Sequence, residues 1–131
     1  MKVGINGYGR IGKILHRIIS ANKELSLVAI NDINPDKNNI AYLANYDSTY
    51  GSLDEKYVVD GDYIVNSSEK VEVFSYSQID DVPWSKSKVD VVIDSSGVTK
   101  NLISSTNLKK NVKHVVFTNS PEESKVDKTV I

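Results

Sequence analysis

Apolar positions along the chain follow two rhythms. The runs Val3-Gly4-Ile5, Leu27-Val28-Ala29-Ile30, Val91-Val92-Ile93 and Val115-Val116-Phe117 are short and β-branched, the pattern of strands buried on both faces. Between the first two, Ile11, Ile14, Leu15, Ile18 and Ile19 recur at i, i+3, i+4, i+7 and i+8, which predicts a helix with one apolar face. Val58-Val59, Tyr63-Ile64-Val65 and Val71-Glu72-Val73-Phe74 predict three short strands, with Asp60-Gly61-Asp62 as a hairpin signal between the first two. This meander stands where a simple βαβ unit would carry a second crossover helix.

The remaining segments fill the gaps. Asn34-Pro35-Asp36 breaks the second strand, and a short helix is expected over 36–45 with Ile40, Leu43 and Ala44 on one face. Residues 46–51 read as a polar turn. Asp80-Asp81-Val82-Pro83-Trp84 reads as a connecting loop with Trp84 as a packing anchor. A strand is expected over 89–94, closed by Ser95-Ser96-Gly97, then a helix over 100–110 and a buried strand over 114–118 before Asn119-Ser120-Pro121. Residues 128–131 look like the opening of another strand, so the expectation is an N-terminal piece of something longer or a truncated gene product.

The chemistry concentrates at the first strand–helix junction. Gly7, Gly9 and Gly12 are spaced G-x-G-x-x-G, directly after the first strand and at the start of the helix. The three glycines serve different ends. The first allows a sharp turn, the second a close approach of backbone to a pyrophosphate, and the third tight helix–strand packing. The helix N-terminus offers unpaired N–H groups to phosphate, and Arg10 lies in the same turn. The second strand ends in Asn31-Asp32, and Asp32 follows Gly12 by 20 residues, where the fingerprint wants an acid for the ribose hydroxyls. A bare tight turn, with Asp32 capping a loop, is the alternative. Strand ends recur at Asn6, Asp32, Asp94 and Thr118, each followed by small or polar residues. In an open parallel sheet these ends share a rim, which places Ser96, Gly97 and Thr118 along a nucleotide cleft or in ordinary loops.

Composition narrows the field. At 131 residues the chain fits one domain, and a net charge of −1 gives no general pull toward nucleic acid or membrane. No apolar run approaches a membrane span, and the N-terminus enters a strand at once, so a cytoplasmic location is the default expectation. There are no cysteines, which excludes disulfides, zinc–thiolate sites and a cysteine nucleophile in this chain. No metal site and no catalytic residue is expected. His16 and His114 are expected at the ends or flanks of structural elements.

In order along the chain, several motifs resemble phosphorylating glyceraldehyde-3-phosphate dehydrogenases. They are Asn6-Gly7-Tyr8-Gly9-Arg10-Ile11-Gly12, Val28-Ala29-Ile30-Asn31-Asp32, Tyr46-Asp47-Ser48-Thr49-Tyr50-Gly51 (Y-D-S-T-H-G in the family), the VDVVIDSSGV run of 89–98, and the strand from His114 to Thr118. The resemblance implies an α/β fold, Rossmann-type and doubly wound, whose mainly parallel sheet carries a short antiparallel insertion. Residues 1–131 would be an NAD(P)-binding domain without its catalytic domain. It implies a cofactor set of Asn6, Gly7, Gly9, Arg10, Ile11, Gly12, Asn31, Asp32, Ser96, Gly97 and Thr118. Arg10 and Ile11 would meet the pyrophosphate, Asp32 the adenosine ribose, and Ser96, Gly97 and Thr118 the path toward nicotinamide. NAD is expected over NADP, because a 2′-phosphate would meet the Asp32 carboxylate, although nearby Lys37 would soften that repulsion.

Departures from the pattern are Tyr8 for the usual Phe, expected to be harmless, Tyr50 for His, Ile33 where Pro is common, Ser77 where a basic residue is common, and Asn119-Ser120 after Thr118. The family's chemistry belongs to a cysteine thiolate that this chain lacks. Three functions therefore stand: the NAD-binding domain of such a glycolytic aldehyde dehydrogenase, a non-catalytic nucleotide-binding or interaction protein derived from the fold, and a sister enzyme acting on erythrose 4-phosphate. The resemblance is compatible with a homo-oligomer.

Overall fold

A computed structural model describes residues 1–47, 51–52, 56–97 and 112–118. The chain runs β1 (Lys2–Asn6), α1 (Arg10–Ser20), β2 (Ser26–Asn31), α2 (Lys37–Asn45), β3 (Tyr46–Asp47), β4 (Gly51–Ser52), β5 (Val58–Asp60), β6 (Tyr63–Val65), β7 (Lys70–Phe74), two 3-10 turns at Ile79–Asp81 and Trp84–Ser87, β8 (Val91–Asp94) and β9 (His114–Phe117). Seven strands form one sheet in the order β5-β6-β7-β2-β1-β8-β9. Pairings β2–β7, β1–β2, β1–β8 and β8–β9 are parallel, while β5–β6 and β6–β7 are antiparallel. This is the Rossmann-type sheet with a short antiparallel meander that the sequence predicts. Gly61 takes a left-handed φ of +60° in the β5–β6 hairpin, at the turn signal itself.

Apolar side chains fill both sheet faces. On one side Ile5, Ile30, Ile64 and Val71 pack with Ile19 of α1 and Ile40 of α2. On the other, Ala29, Phe74, Val89 and Val92 pack around Trp84 and Ile79. Trp84 is fully buried and donates its indole N–H to the Ile79 carbonyl at 3.0 Å, so the anchoring role read from the sequence holds. Asp36 caps α2 by accepting from the Asn38 and Asn39 amides, and Ile40 and Ala44 face the core as expected.

Three expectations need correction. The buried stripe of α1 is Gly12, His16 and Ile19, with Leu15 beside it, whereas Ile11 and Ile18 are 48% and 55% exposed. Gly12 must sit innermost because it touches the backbone after β1, and that contact fixes the helix rotation. At about 100° per residue, Ile11 then turns out to solvent. His16 is consequently not at an end or flank: it lies mid-helix in the core. His114 does open β9, at the edge of that element. Third, residues 46–52 hold more than a turn, since β3 and β4 pair antiparallel, Tyr46 opposite Ser52 and Asp47 opposite Gly51. The helix expected over 100–110 and the strand expected over 128–131 lie outside the described residues.

Trp84→Ala should remove the centre of the second core and its buried hydrogen bond. The expected loss is about 3–5 kcal/mol of unfolding free energy, read from urea denaturation; a loss below about 1 kcal/mol would contradict this packing.

Candidate functional site

Strand order reverses at β1: β2 and β7 lie to one side, β8 and β9 to the other. Ligands bind outside the carboxyl ends of strands at such a switch point. Here a cleft of about 310 Å³ opens, walled by Asn6 and Gly7 after β1, Gly9 before α1, Asn31, Asp32 and Ile33 after β2, Tyr76 and Ser77 after β7, and Ser95 and Ser96 after β8.

The glycine corner is built by contact. Gly7 has φ +94°, and its N–H donates to the Asn31 carbonyl at 2.8 Å. A Cβ at Gly7 would stand 2.6 Å from the Ser96 Cα. A Cβ at Gly12 would collide with the Gly7 carbonyl oxygen and lie 3.3 Å from Ser95 Oγ. Gly9 differs: nothing lies within 4 Å of where its Cβ would be, so its missing side chain leaves open space at the cleft wall. Gly9 is also the N-cap of α1, makes no side-chain cap, and is followed by no acid in the first turn. The first-turn amides lack intrahelical partners, and the helix dipole makes that end attractive to an anion.

The opposite wall carries the acid. Asp32 Oδ2 accepts from the Tyr8 N–H at 2.7 Å, and Oδ1 accepts from the Asn34 N–H at 2.9 Å. These two amides hold the carboxylate beside the cleft. Beneath it runs a ladder of buried side chains. Asp94 Oδ1 accepts from Asn6 Nδ2 at 3.0 Å, from the Ser96 hydroxyl at 2.7 Å and from the Ser96 amide at 3.1 Å. Asn6 Oδ1 accepts from Asn31 Nδ2 at 2.7 Å. Asn31 also clasps the Tyr76 backbone, donating to its carbonyl at 3.0 Å and accepting from its amide at 2.8 Å. The ends of β8, β1, β2 and β7 are thus tied together side chain by side chain.

Comparison with known proteins agrees with this geometry. The sequence model described as "Glyceraldehyde 3-phosphate dehydrogenase, NAD binding domain" matches residues 1–102. The chain is 40% identical over 119 residues to glyceraldehyde-3-phosphate dehydrogenase 1 of Kluyveromyces lactis, covering 90% of this chain and 36% of that protein. It is 36% identical over 132 residues to the Priestia megaterium glyceraldehyde-3-phosphate dehydrogenase, covering 100% of this chain and 38% of that protein. Against the Mycoplasma pneumoniae enzyme identity is 33% over 133 residues, covering 100% of this chain and 39% of that protein. The chain belongs to the glyceraldehyde-3-phosphate dehydrogenase family. It spans under two-fifths of the length of these curated relatives.

Within this family member, Asn6, Gly7, Gly9, Asn31, Asp32 and Ser96 of the residues expected from the sequence come together in the cleft wall. Asn6 and Asn31 have their amides engaged in the ladder, which makes them its floor. Arg10 and Ile11 are exposed on the first turn of α1, at the cleft's edge in sequence but not among its walls. Gly12 is buried behind the corner. Gly97 follows Ser96 with φ +74°, and Thr118 donates its N–H to the Asp94 carbonyl at 3.1 Å from the end of β9; neither is in the wall.

Tyr76 and Ser95 line the cleft without belonging to the set expected from the sequence, and so do Ile33 and Ser77, which the sequence marks only as departures from the family pattern. Ser95 follows Asp94, itself a strand end in the sequence pattern, and is legible there. Tyr76 and Ser77 follow β7, which reads as part of an antiparallel meander. Only its parallel pairing with β2 carries its end to the rim. Among the described residues no group of histidines, cysteines or acids could hold a metal, and no helix is long and apolar enough to cross a membrane.

Gly12→Ala should cost about 1–3 kcal/mol of stability by forcing the helix off the corner. Gly9→Ala, with open space at its Cβ, should cost under about 1 kcal/mol. Urea denaturation of both variants checks the contrast, and equal losses would contradict the corner's asymmetry.

Proposed function

We propose that this chain binds NAD across the cleft, as the nucleotide-binding part of a dehydrogenase that oxidises glyceraldehyde 3-phosphate in cytoplasmic glycolysis. The observation that carries the reading is one of placement. An open Gly9 at an uncapped helix N-terminus and a carboxylate held by two amides face the same cleft. The first presents N–H groups and positive potential to a diphosphate, with Arg10 and Ile11 on the adjoining turn. The second accepts hydrogen bonds from vicinal ribose hydroxyls. Ile33 and Tyr76, both exposed, offer apolar surface to the adenine, with Ser77 as a polar neighbour. Ser96, anchored on Asp94, ends the wall on the side toward nicotinamide, with Gly97 and Thr118 beyond the wall on that path.

NAD, when bound, supplies a hydride acceptor. The chain's own residues hold and orient it. They contribute no thiolate, because the sequence has no cysteine. The attack on the aldehyde therefore belongs to residues outside these 131. NAD is favoured over NADP because a 2′-phosphate would sit against the Asp32 carboxylate. Lys37, which would soften that repulsion, has its ammonium 2.8 Å from Asp62, and the same contact holds the Asp62 carboxyl below its usual range.

Calorimetric titration with NAD and NADP tests the reading. NAD should bind, and Asp32→Ala should weaken it about 10- to 100-fold while narrowing the preference over NADP. Unchanged affinity in Asp32→Ala would remove Asp32 from the site, and absence of binding by the unaltered chain would leave an interaction role.

A further inference from the structure

Behind the corner lies a buried polar chain that the cleft does not use. Tyr8, His16 and Tyr57, each 3% exposed, come from the corner, the middle of α1 and the approach to β5. Tyr8 Oη lies 2.7 Å from His16 Nδ1, and His16 Nε2 lies 2.9 Å from Tyr57 Oη. Glu69, just before β7, brings its Oε1 to 3.5 Å from His16 Nε2. Burial pushes the Glu69 carboxyl upward, but the neighbouring His16, Ser20 and Tyr57 side chains outweigh it and hold the group below the usual range. Burial, followed by the facing Glu69 carboxylate, pushes the Tyr57 phenol far above its ordinary value, so Tyr57 keeps its proton.

The ring tautomer of His16 sets the direction of both bonds, and the Glu69 carboxylate beside the ring favours one tautomer. An ionised carboxylate only accepts, and Glu69 Oε1 faces His16 Nε2 at 3.5 Å with no hydrogen-bond partner of its own among the described residues, which favours the ring proton on Nε2. The Tyr57 oxygen is then the acceptor for His16 Nε2–H. In the neutral ring carrying its proton on Nε2, Nδ1 is an acceptor, and the Tyr8 hydroxyl donates to it. Donation runs from Tyr8 to His16 to Tyr57, with the Glu69 carboxylate beside Nε2 setting the sense of both bonds.

We propose that this chain makes His16 a positioning residue of the dinucleotide site, acting through Tyr8. Tyr8 stands between Gly7 and Gly9, whose backbones are sterically permissive, so it is the one side chain that can restrain the turn. Its phenol is held by His16 inside the core, and its backbone N–H holds Asp32 Oδ2 at 2.7 Å. The hydroxyl that distinguishes Tyr8 from the family's usual Phe is therefore more than a harmless exchange: it links the core of α1 to the acid on the cleft wall. The effect on affinity rests on the reading that NAD occupies the cleft; the linkage between His16 and the Tyr8 amide does not.

Two measurements on the full chain at neutral pH test it. Nitrogen-15 NMR of the unaltered chain should show His16 as the Nε2–H tautomer. Tyr8→Phe should move the amide proton at position 8 upfield, beyond the difference intrinsic to the two residue types, and weaken NAD about threefold to tenfold by calorimetry. Val59→Ala, a core change in β5, should lower stability while leaving that amide and the affinity in place. An Nδ1–H tautomer or an imidazolium, an unmoved amide in Tyr8→Phe, or a moved amide with unaltered NAD affinity overturns the proposal. If the unaltered chain takes up no NAD, the reading of the cleft fails by itself, and the tautomer and the amide shift still decide the linkage. If Tyr8→Phe does not fold, the tautomer of the unaltered chain decides it alone.

Discussion

Backbone meets backbone at the corner after β1, at a separation that leaves no room for a methyl group. Gly12 rests against the Gly7 carbonyl, and Gly7 rests against Ser96. The Ser95 hydroxyl donates to the Gly7 carbonyl at 2.6 Å, while the Gly7 amide reaches Asn31 at 2.8 Å. Three strand ends and a helix start are thereby locked to one peptide. The rotation of α1 follows from this contact, which is why Gly12 and His16 face inward and two isoleucines face water. The cleft follows from it too: the turn withdraws backbone from the space beside Gly9 and leaves the uncapped end of α1 facing open volume.

A polar floor supports this corner where an apolar one would be expected. Asp94, Asn6 and Asn31 are almost fully buried, yet each has hydrogen-bonding partners on the next strand. Buried polar groups are costly when orphaned and rigidifying when satisfied. Three donors converge on one Asp94 oxygen. The result is a rim whose strand ends have fixed spacing, with the groups that face the cleft carried on top. Positive potential at the start of α1 and the Asp32 carboxylate across the cleft are complementary to the diphosphate and the ribose hydroxyls of an adenosine diphosphate.

These 131 residues contain no nucleophilic sulfur. The Kluyveromyces lactis and Priestia megaterium relatives are more than twice as long as the matched region. A fold built this way, with binding on the rim of one sheet, can leave bond-making groups to a separate part of a protein.

What the sequence determines by itself is local or strictly periodic. The strand–glycine–helix junction, the Asp32 spacing, the Gly61 hairpin and the Trp84 anchor are readable because each depends on neighbours in the chain or on a single residue type. The inward face of α1 departs from the apolar spacing because hydrophobic periodicity carries no trace of a backbone contact at Gly12. The role of Tyr76 is hidden because strand direction in a sheet is set by long-range pairing, here β7 alongside β2. Tyr8, His16, Tyr57 and Glu69 span 61 residues of sequence, the distance from 8 to 69, and nothing in their spacing foretells a buried polar row. Only the tertiary structure decides such a row, because its energy comes from excluding water around groups that the fold brings together from distant parts of the chain.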